Sequence, residues 1–323
     1  MRDLRKVQQT PTGTFFVCVP KSWAQQYGLK KGTLVNLEVA DDGKLVVDAK
    51  YTSEQPQKTV VLTVGPFLRR EIIGCYLLGF DVICVEAKDR IDLEMRNTVK
   101  STVSSLVGLE IVEETFSQVV LQCLLDPLGS QPEKILRRTY AIVSGMVRDV
   151  TTSFVNGDLQ LAKAVVARDV ESNRLYFLLV RILRTVIQNP GLSEKLGITT
   201  IDCLDYRLAA SLIESMGDVC VQIATKTLEL HGFKPSGELS KLLIDLQVAC
   251  LETNEQALKS FIYKDMSMAE NVRNMKTKIR DISIDIEKVA KNQPIDVMPQ
   301  LLAATSLIRQ IYEHSLDMAD LVA

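Results

Sequence analysis

Glu214 and Asp218 stand four residues apart in "ESMGD", with Gly217 between them. In an α-helix that spacing sets two carboxylates one turn apart on one face. Paired carboxylates are ligands for a hard cation or for iron, because such ions take oxygen donors. Asp169, in "DVESN" on the preceding helical segment, adds a third carboxylate, with Asn173 one turn further on. A glycine inside a helix costs ~1 kcal/mol relative to alanine, so Gly217 marks a close helix contact or a backbone approached by another group. The same acids equally describe a solvated helix face laced with salt bridges. Leu204, Leu208, Leu212 and Met216 make a stripe on roughly the opposite face. That stripe predicts acids on the outer surface of a bundle.

A second constellation is cationic. Up to Lys31 the chain carries Arg2, Arg5, Lys6, Lys21, Lys30 and Lys31 against the single acid Asp3. Basic side chains gathered on a small β segment suit the repeating phosphates of a duplex, or they are solvated charges on a dimerisation clip. The 38 basic and 40 acidic residues of the whole chain nearly cancel, so net charge argues for neither nucleic acid nor anionic membrane. An enzyme is not expected. There is no glycine-rich phosphate loop, Ser/His/Asp set or Cys/His pair, and the two histidines, His231 and His314, lie far apart. Seven cysteines (Cys18, Cys75, Cys84, Cys123, Cys203, Cys220 and Cys250) fall inside apolar stretches without CxxC spacing. They read as reduced, buried packing residues.

The elements that must position these groups fall into distinct stretches of the 323 residues. Residues 1–50 alternate like short strands ("LRKVQ", "TFFVCVP", "TLVNLEV", "KLVVDA"), with the hairpin signal Asp42-Gly43 and one short helix, "KSWAQQYGL", stopped by Gly28. Such a head buries too little apolar surface to fold alone and calls for a second copy. A polar linker leads to residues 58–126, where strand, helix, strand, helix and a strand pair predict a small α/β layer. From there six helical segments run to the end, roughly 133–154, 159–187, 200–230, 240–262, 266–290 and 297–323. The break "HGFKPSGE" splits them three and three, as residues 132–231 and 238–323. "SLIESMGDVCVQIA" and "SLIRQIYEHSLDMA" align as internal repeats, and Asp169 and Asp265 stand near the start of the second helix of each set. No apolar run reaches the ~20 residues of a membrane span, and the first residues lack a signal peptide, so a cytoplasmic protein without membrane insertion is expected.

Two resemblances follow from these residues. "KVQQTPTGTFFVCVPKSWAQQYGLKKGTLVNLEVADDGKLVV" resembles a SpoVT/AbrB swapped-hairpin domain, with its Pro-Lys, Gly-Leu and Lys-Gly at matching spacings. That family forms intertwined dimers on DNA, which implies contacts from Arg2, Arg5, Lys6, Gln8, Thr12 and Lys21. From Glu133 onward the chain resembles the PhoU phosphate-uptake regulators, two tandem three-helix bundles whose second and third helices bind multinuclear metal clusters. The resemblance implies a site at Asp169, Asn173, Glu214 and Asp218 for iron, zinc or another divalent cation, although Asn173 replaces an acid and Ser215 an arginine. The second bundle departs further: it keeps Asp265, places Ala269 at the paired position, and aligns Arg309 with Glu214 and Glu313 with Asp218. Another register pairs Glu313 with Asp317.

The expected fold is therefore mainly α with a small β head that closes into a barrel as a dimer, an α/β insert, and two PhoU-like bundles. The joined resemblances imply a transcriptional regulator of phosphate uptake. It would bind double-stranded DNA as a homodimer or higher oligomer, with a body that senses phosphate status through a partner or ligand. The alternative is an adaptor that regulates a phosphate transporter or its signalling partner without touching DNA.

Overall fold

Short β-branched and aromatic runs interrupted by glycine give hairpins and not long ladders. The computed structural model describes residues 4–39, 43–49, 57–126, 129 and 131–322, and it divides into two compact units, Met1–Gln57 and Lys58–Ala323. In the first unit β1 (Gln8–Gln9) pairs antiparallel with β2 (Phe15–Phe16), and β3 (Asn36–Val39) pairs with β4 (Leu45–Asp48) as a separate two-stranded sheet. Between the hairpins lies α1 (Lys21–Gln26). Asp42 of the expected hairpin turn and residues 50–56 of the linker lie outside the described residues. The strands are shorter than the sequence pattern predicts, since among the described residues neither hairpin has a third strand to extend its pairing. No described residue of this unit is buried. Leu4, Val7, Phe15, Leu34, Leu37 and Val39 are each more than half exposed.

In the second unit β5 (Thr59–Thr63), α2 (Leu68–Leu77) and β6 (Val82–Glu86) form a parallel crossover. Next come α3 (Leu93–Ser104) and the antiparallel strands β7 (Leu109–Glu114) and β8 (Gln118–Cys123), giving the sheet order β5-β6-β8-β7. Period-two alternation turns Ile83, Val85, Val119 and Leu121 inward, where they join Leu68, Ile72, Tyr76 and Val99 in one core. The Asp92 carboxylate accepts from the Met95 N–H at 2.7 Å and starts α3.

The helical body comprises α4 (Pro132–Asn156), α5 (Leu159–Gln188), the short α6 (Ser193–Leu196), α7 (Asp202–Glu229), α8 (Gly237–Tyr263), α9 (Met266–Asn274), α10 (Lys276–Ala290) and α11 (Met298–Ala319). Helices α4, α5 and α7 pack together, as do α8 to α11. Side-chain caps start α5, α8 and α9, the Ser236 hydroxyl accepting from Leu239 N–H at 3.4 Å at α8. Asp158 accepts from Gln160 and Leu161 N–H, both at 3.0 Å, and Asp265 accepts from Ser267 and Met268 N–H at 2.9 and 3.1 Å. Gly157 closes α4 at φ 63°, and a Cβ there would lie 2.5 Å from the Gly232 carbonyl oxygen. The expected fifth helix is broken at Met275. The Tyr312 hydroxyl donates toward the carbonyls of Val272 and Arg273 at 3.2 and 3.4 Å, carbonyls that an unbroken helix would use in its own ladder.

Helix α7 is long and apolar enough by length and composition to cross a membrane, and 50% of its apolar window is buried within the body. The cysteines are not uniformly packed inside: Cys18 is exposed and Cys84 and Cys123 are half-buried, while Cys75, Cys203, Cys220 and Cys250 are buried. Cys18 is exposed because the head around it has no interior.

One side chain ties the sheet layer to the bundle. Arg181 of α5 is only 7% exposed, and its Nη1 donates to the Tyr76 and Phe80 carbonyls at 2.6 and 3.0 Å. The guanidinium also lies 4.9 Å from the Tyr76 ring centroid and 3.6 Å from the Asp81 carboxylate. Replacing it with an apolar residue strands the Phe80 carbonyl and takes a charged donor from that of Tyr76, which keeps only the Gly79 N–H at 3.1 Å. Arg181→Met should therefore lower stability by about 2–4 kcal/mol. Urea unfolding measures the loss, and hydrogen exchange should locate it at the end of α2. A change below about 0.5 kcal/mol, the range of ordinary surface substitutions, would refute the clamp.

Candidate functional site

The seam between α5 and α7 brings together residues that are 45 positions or more apart in the chain. Gly217 is buried, and a Cβ at that position would meet Asp169 Oδ1 at 3.2 Å and Ser172 Oγ at 3.4 Å. The glycine thus makes room for a carboxylate laid against the α7 backbone. Asn173 Nδ2 donates to Asp169 Oδ2 at 2.7 Å, and the Ser172 hydroxyl reaches Asp169 O and Oδ1 at 2.9 and 3.3 Å. These contacts fix Asp169 toward Glu214 and Asp218. Burial raises the Asp169 pKa above its ordinary value, and the Asp218 charge raises it further, against the two hydrogen bonds. Glu214 is pushed up to about 6, first by burial and then by Asp218 and Asp169, with Arg207 opposing. Arg207 is itself held over the Tyr176 ring at 4.9 Å.

The acids lie along the α5–α7 seam, Asp169 and Glu214 half-buried and Asp218 exposed as expected, and the apolar stripe expected behind them is not a core face. Leu204 and Leu208 are each 53% exposed, while Met216 is fully buried. A four-residue repeat turns ~40° beyond a full helical turn at each step, so such a stripe winds from solvent into the core. The buried face of α7 instead carries Ile213, Met216, Val219, Cys220 and Ile223.

Oxygen donors of this kind suit a hard cation. Among the described residues, however, no three His, Cys, Asp or Glu side chains gather as a metal-holding group. Asn173 adds no charge, and its amide is spent on Asp169. In the second bundle Asp265 caps α9, so its structural counterpart is Asp158 and not Asp169 as the repeat suggests. Ala269 is buried, and Glu313, Asp317 and Arg309 are exposed along α11. Tyr312 occupies the repeat position of Gly217 and fills the space that the glycine leaves open in the first bundle. Asp265, Glu313 and Asp317 therefore assemble no counterpart to the first groove. Tyr312 and Arg181 are the residues that sequence reasoning missed. An aromatic residue facing a glycine in the repeat was the available signal for Tyr312.

In the head, Arg2 lies outside the described residues, and Arg5, Lys6, Gln8, Thr12 and Lys21 are all exposed. Arg5 and Lys21 come together on one open cleft of about 570 Å³, with Trp23, Val19 and Val47. Gln8 lies in β1, and Thr12 sits in the β1–β2 turn, its hydroxyl 2.9 Å from that of Thr10. The structure thus joins Arg5 with Lys21 and sets Thr12 in the turn beyond β1.

Comparison with known proteins agrees with this division. Residues 136–227 match the PhoU domain, and residues 8–56 match the antidote-toxin recognition domain of MazE, a bacterial antitoxin. The PhoU match takes in α5, most of α4 and most of α7, and leaves out α8 to α11. Among solved structures the chain is similar to PhoU from Pseudomonas aeruginosa, at 16% identity and a TM-score of 0.52 over 59% of this chain and 93% of that one. That likeness establishes the fold. No curated protein matches the chain in sequence. The chain therefore joins a MazE/AbrB-like amino-terminal domain to a PhoU-type helical body.

The groove makes stability depend on pH in a definite sense. Glu214 titrates near 4.5 when unfolded and at about 6 when folded, so between these values the folded chain holds more protons. Its contribution is therefore lost as pH rises through that window. Glu214→Gln should flatten this part of the pH–stability curve and raise stability at pH 7 by about 1 kcal/mol, allowing for solvent screening. Chemical denaturation at pH 4.5 to 7 checks both. An unchanged slope would show that folding does not raise the Glu214 pKa.

Proposed function

We propose that the chain is a transcriptional regulator of phosphate uptake whose amino-terminal domain grips double-stranded DNA as a homodimer, while the helical body responds to phosphate status. The observation that supports this most is the head itself: exposed Arg5, Lys6 and Lys21 on a segment in which no described residue is buried. A second copy supplies the missing interior and doubles the cationic surface. DNA then selects the dimer by neutralising phosphates with paired basic residues. A partner or ligand on the body shifts this equilibrium only as far as it favours one arrangement of the dimer over another.

The adaptor reading draws on a different observation. Ile201, just before α7, and Leu204 and Leu208 within it are between 53% and 69% exposed, a face suited to another protein. Cation binding at Asp169, Glu214 and Asp218 is a separate proposal. It requires that protein purified without added metal carry iron, zinc or another divalent ion by elemental analysis, and that Glu214→Ala/Asp218→Ala lose it.

The deciding measurement is a mobility-shift titration with duplex DNA across salt concentrations, alongside sedimentation. Each phosphate neutralised contributes ~0.9 to the slope of log K against log salt, so Arg5→Gln/Lys21→Gln should lower the slope by roughly 2–4 for a dimer. A monomer at micromolar concentration, or no binding at low salt, would leave the adaptor as the working reading.

A further inference from the structure

The second bundle has a cleft of its own, and its chemistry is opposite to that of the first. It lies between α10 and α11, with a volume of about 290 Å³. Arg309 and Lys291 line it, with the Ser306 hydroxyl, and Met298 and Leu302 supply apolar wall. Arg309 stands at the repeat position of Glu214, so a cation faces the seam where the first bundle presents an acid. Neither Arg309 nor Lys291 has an ion-pair or side-chain hydrogen-bond partner among the described residues, and both are exposed. Two uncompensated cations on one small cleft repel each other and leave up to eight N–H donors without protein acceptors. Glu287 is the one acid among the lining residues, which leaves a net charge of +1 (two cations less one anion). Its carboxylate can accept from a ligand hydroxyl. The apolar wall is accessible as well, since Leu302 is 38% exposed.

An anion alone would satisfy the cations and leave the apolar wall wet. An apolar molecule alone would leave the cations unpaired. A phosphate group carried on an apolar or ring-bearing residue meets both demands, with guanidinium and ammonium at the oxygens and the organic part on Met298 and Leu302. We propose that this cleft binds a phosphomonoester, with its phosphate between Arg309 and Lys291. The binding claim stands on the cleft; its regulatory meaning rests on the phosphate-responsive reading given above.

Isothermal titration of the full chain with phenyl phosphate, inorganic phosphate and phenol tests it. Phenyl phosphate should bind more tightly than inorganic phosphate, and phenol should not bind. Arg309→Gln and Lys291→Gln should each weaken phenyl phosphate at least tenfold, and the double variant should abolish binding. Both side chains are exposed, so circular dichroism should show unchanged helix content. Glu287→Gln should tighten binding, an opposite-sign effect that mere loss of packing would not produce. Lack of binding at millimolar phenyl phosphate, equal affinity for inorganic phosphate, or full binding by the double variant would each overturn the proposal. Mobility shifts on the same variants separate the two readings. Loss of DNA binding by wild-type protein that still binds phenyl phosphate would remove the regulator and leave the cleft.

Discussion

The second unit depends on a buried charge. Arg181 is withdrawn from water, and several kcal/mol of desolvation must be offset for it to stay charged there. The end of α2 supplies the offset. Carbonyls at a helix C-terminus have no partners of their own and carry the negative end of the dipole. Arg181 takes the Tyr76 and Phe80 carbonyls at that end, stacks on the Tyr76 ring, and approaches Asp81. Without Arg181 the Phe80 carbonyl loses its donor and Tyr76 keeps only the Gly79 N–H, and among the described residues the guanidinium has no other carbonyl to meet there. Their union makes the sheet layer part of the helical body. Helix α5 carries both this clamp and Asp169, twelve residues apart or ~18 Å along one rod. The carboxylate groove and the sheet layer therefore share a single rigid element.

The head obeys the opposite constraint. Among the described residues each of its two hairpins pairs only within itself, and the apolar side chains have no interior to enter. A segment of this length that leaves Phe15, Leu37 and Val39 more than half exposed cannot offset its chain entropy by burial.

Much of this was legible because long helices announce themselves. The 3.6-residue period, Asn156-Gly157 and Asn189-Pro190 place α4, α5 and α7 close to their observed limits. Gly217 was legible as a position that something approaches, and the structure names Asp169 as the approaching group. Arg181 was not legible: within "LLVRILR" it reads as one charge in an apolar run, and its partners are backbone carbonyls about a hundred residues earlier. Backbone acceptors leave no trace in residue types. Asp265 misled for a related reason. A cap and a groove acid are the same residue, and only the helix start at Met266 tells them apart.

The two bundles show how little is needed to reverse what such a seam can do. With no side chain at Gly217, Asp169 lies against the backbone, and burial together with the neighbouring carboxylates raises the proton affinity of Asp169 and Glu214. With Tyr312 at the repeat position, the seam is closed by a ring whose hydroxyl takes two carbonyls from the facing helix and breaks it at Met275. A carboxylate cannot occupy that volume, so an acid one turn earlier would have no neighbours to share a cation with. Arg309 stands there instead, beside Lys291. Once the seam is filled, the acid cluster of the first bundle has no place to form, and the selection for oxygen ligands disappears. The duplicated fold is kept by its apolar periodicity, which both bundles retain. The chemistry of each seam is set by one residue's volume, while the helical architecture continues to Ala319, past the end of the PhoU domain match within α7.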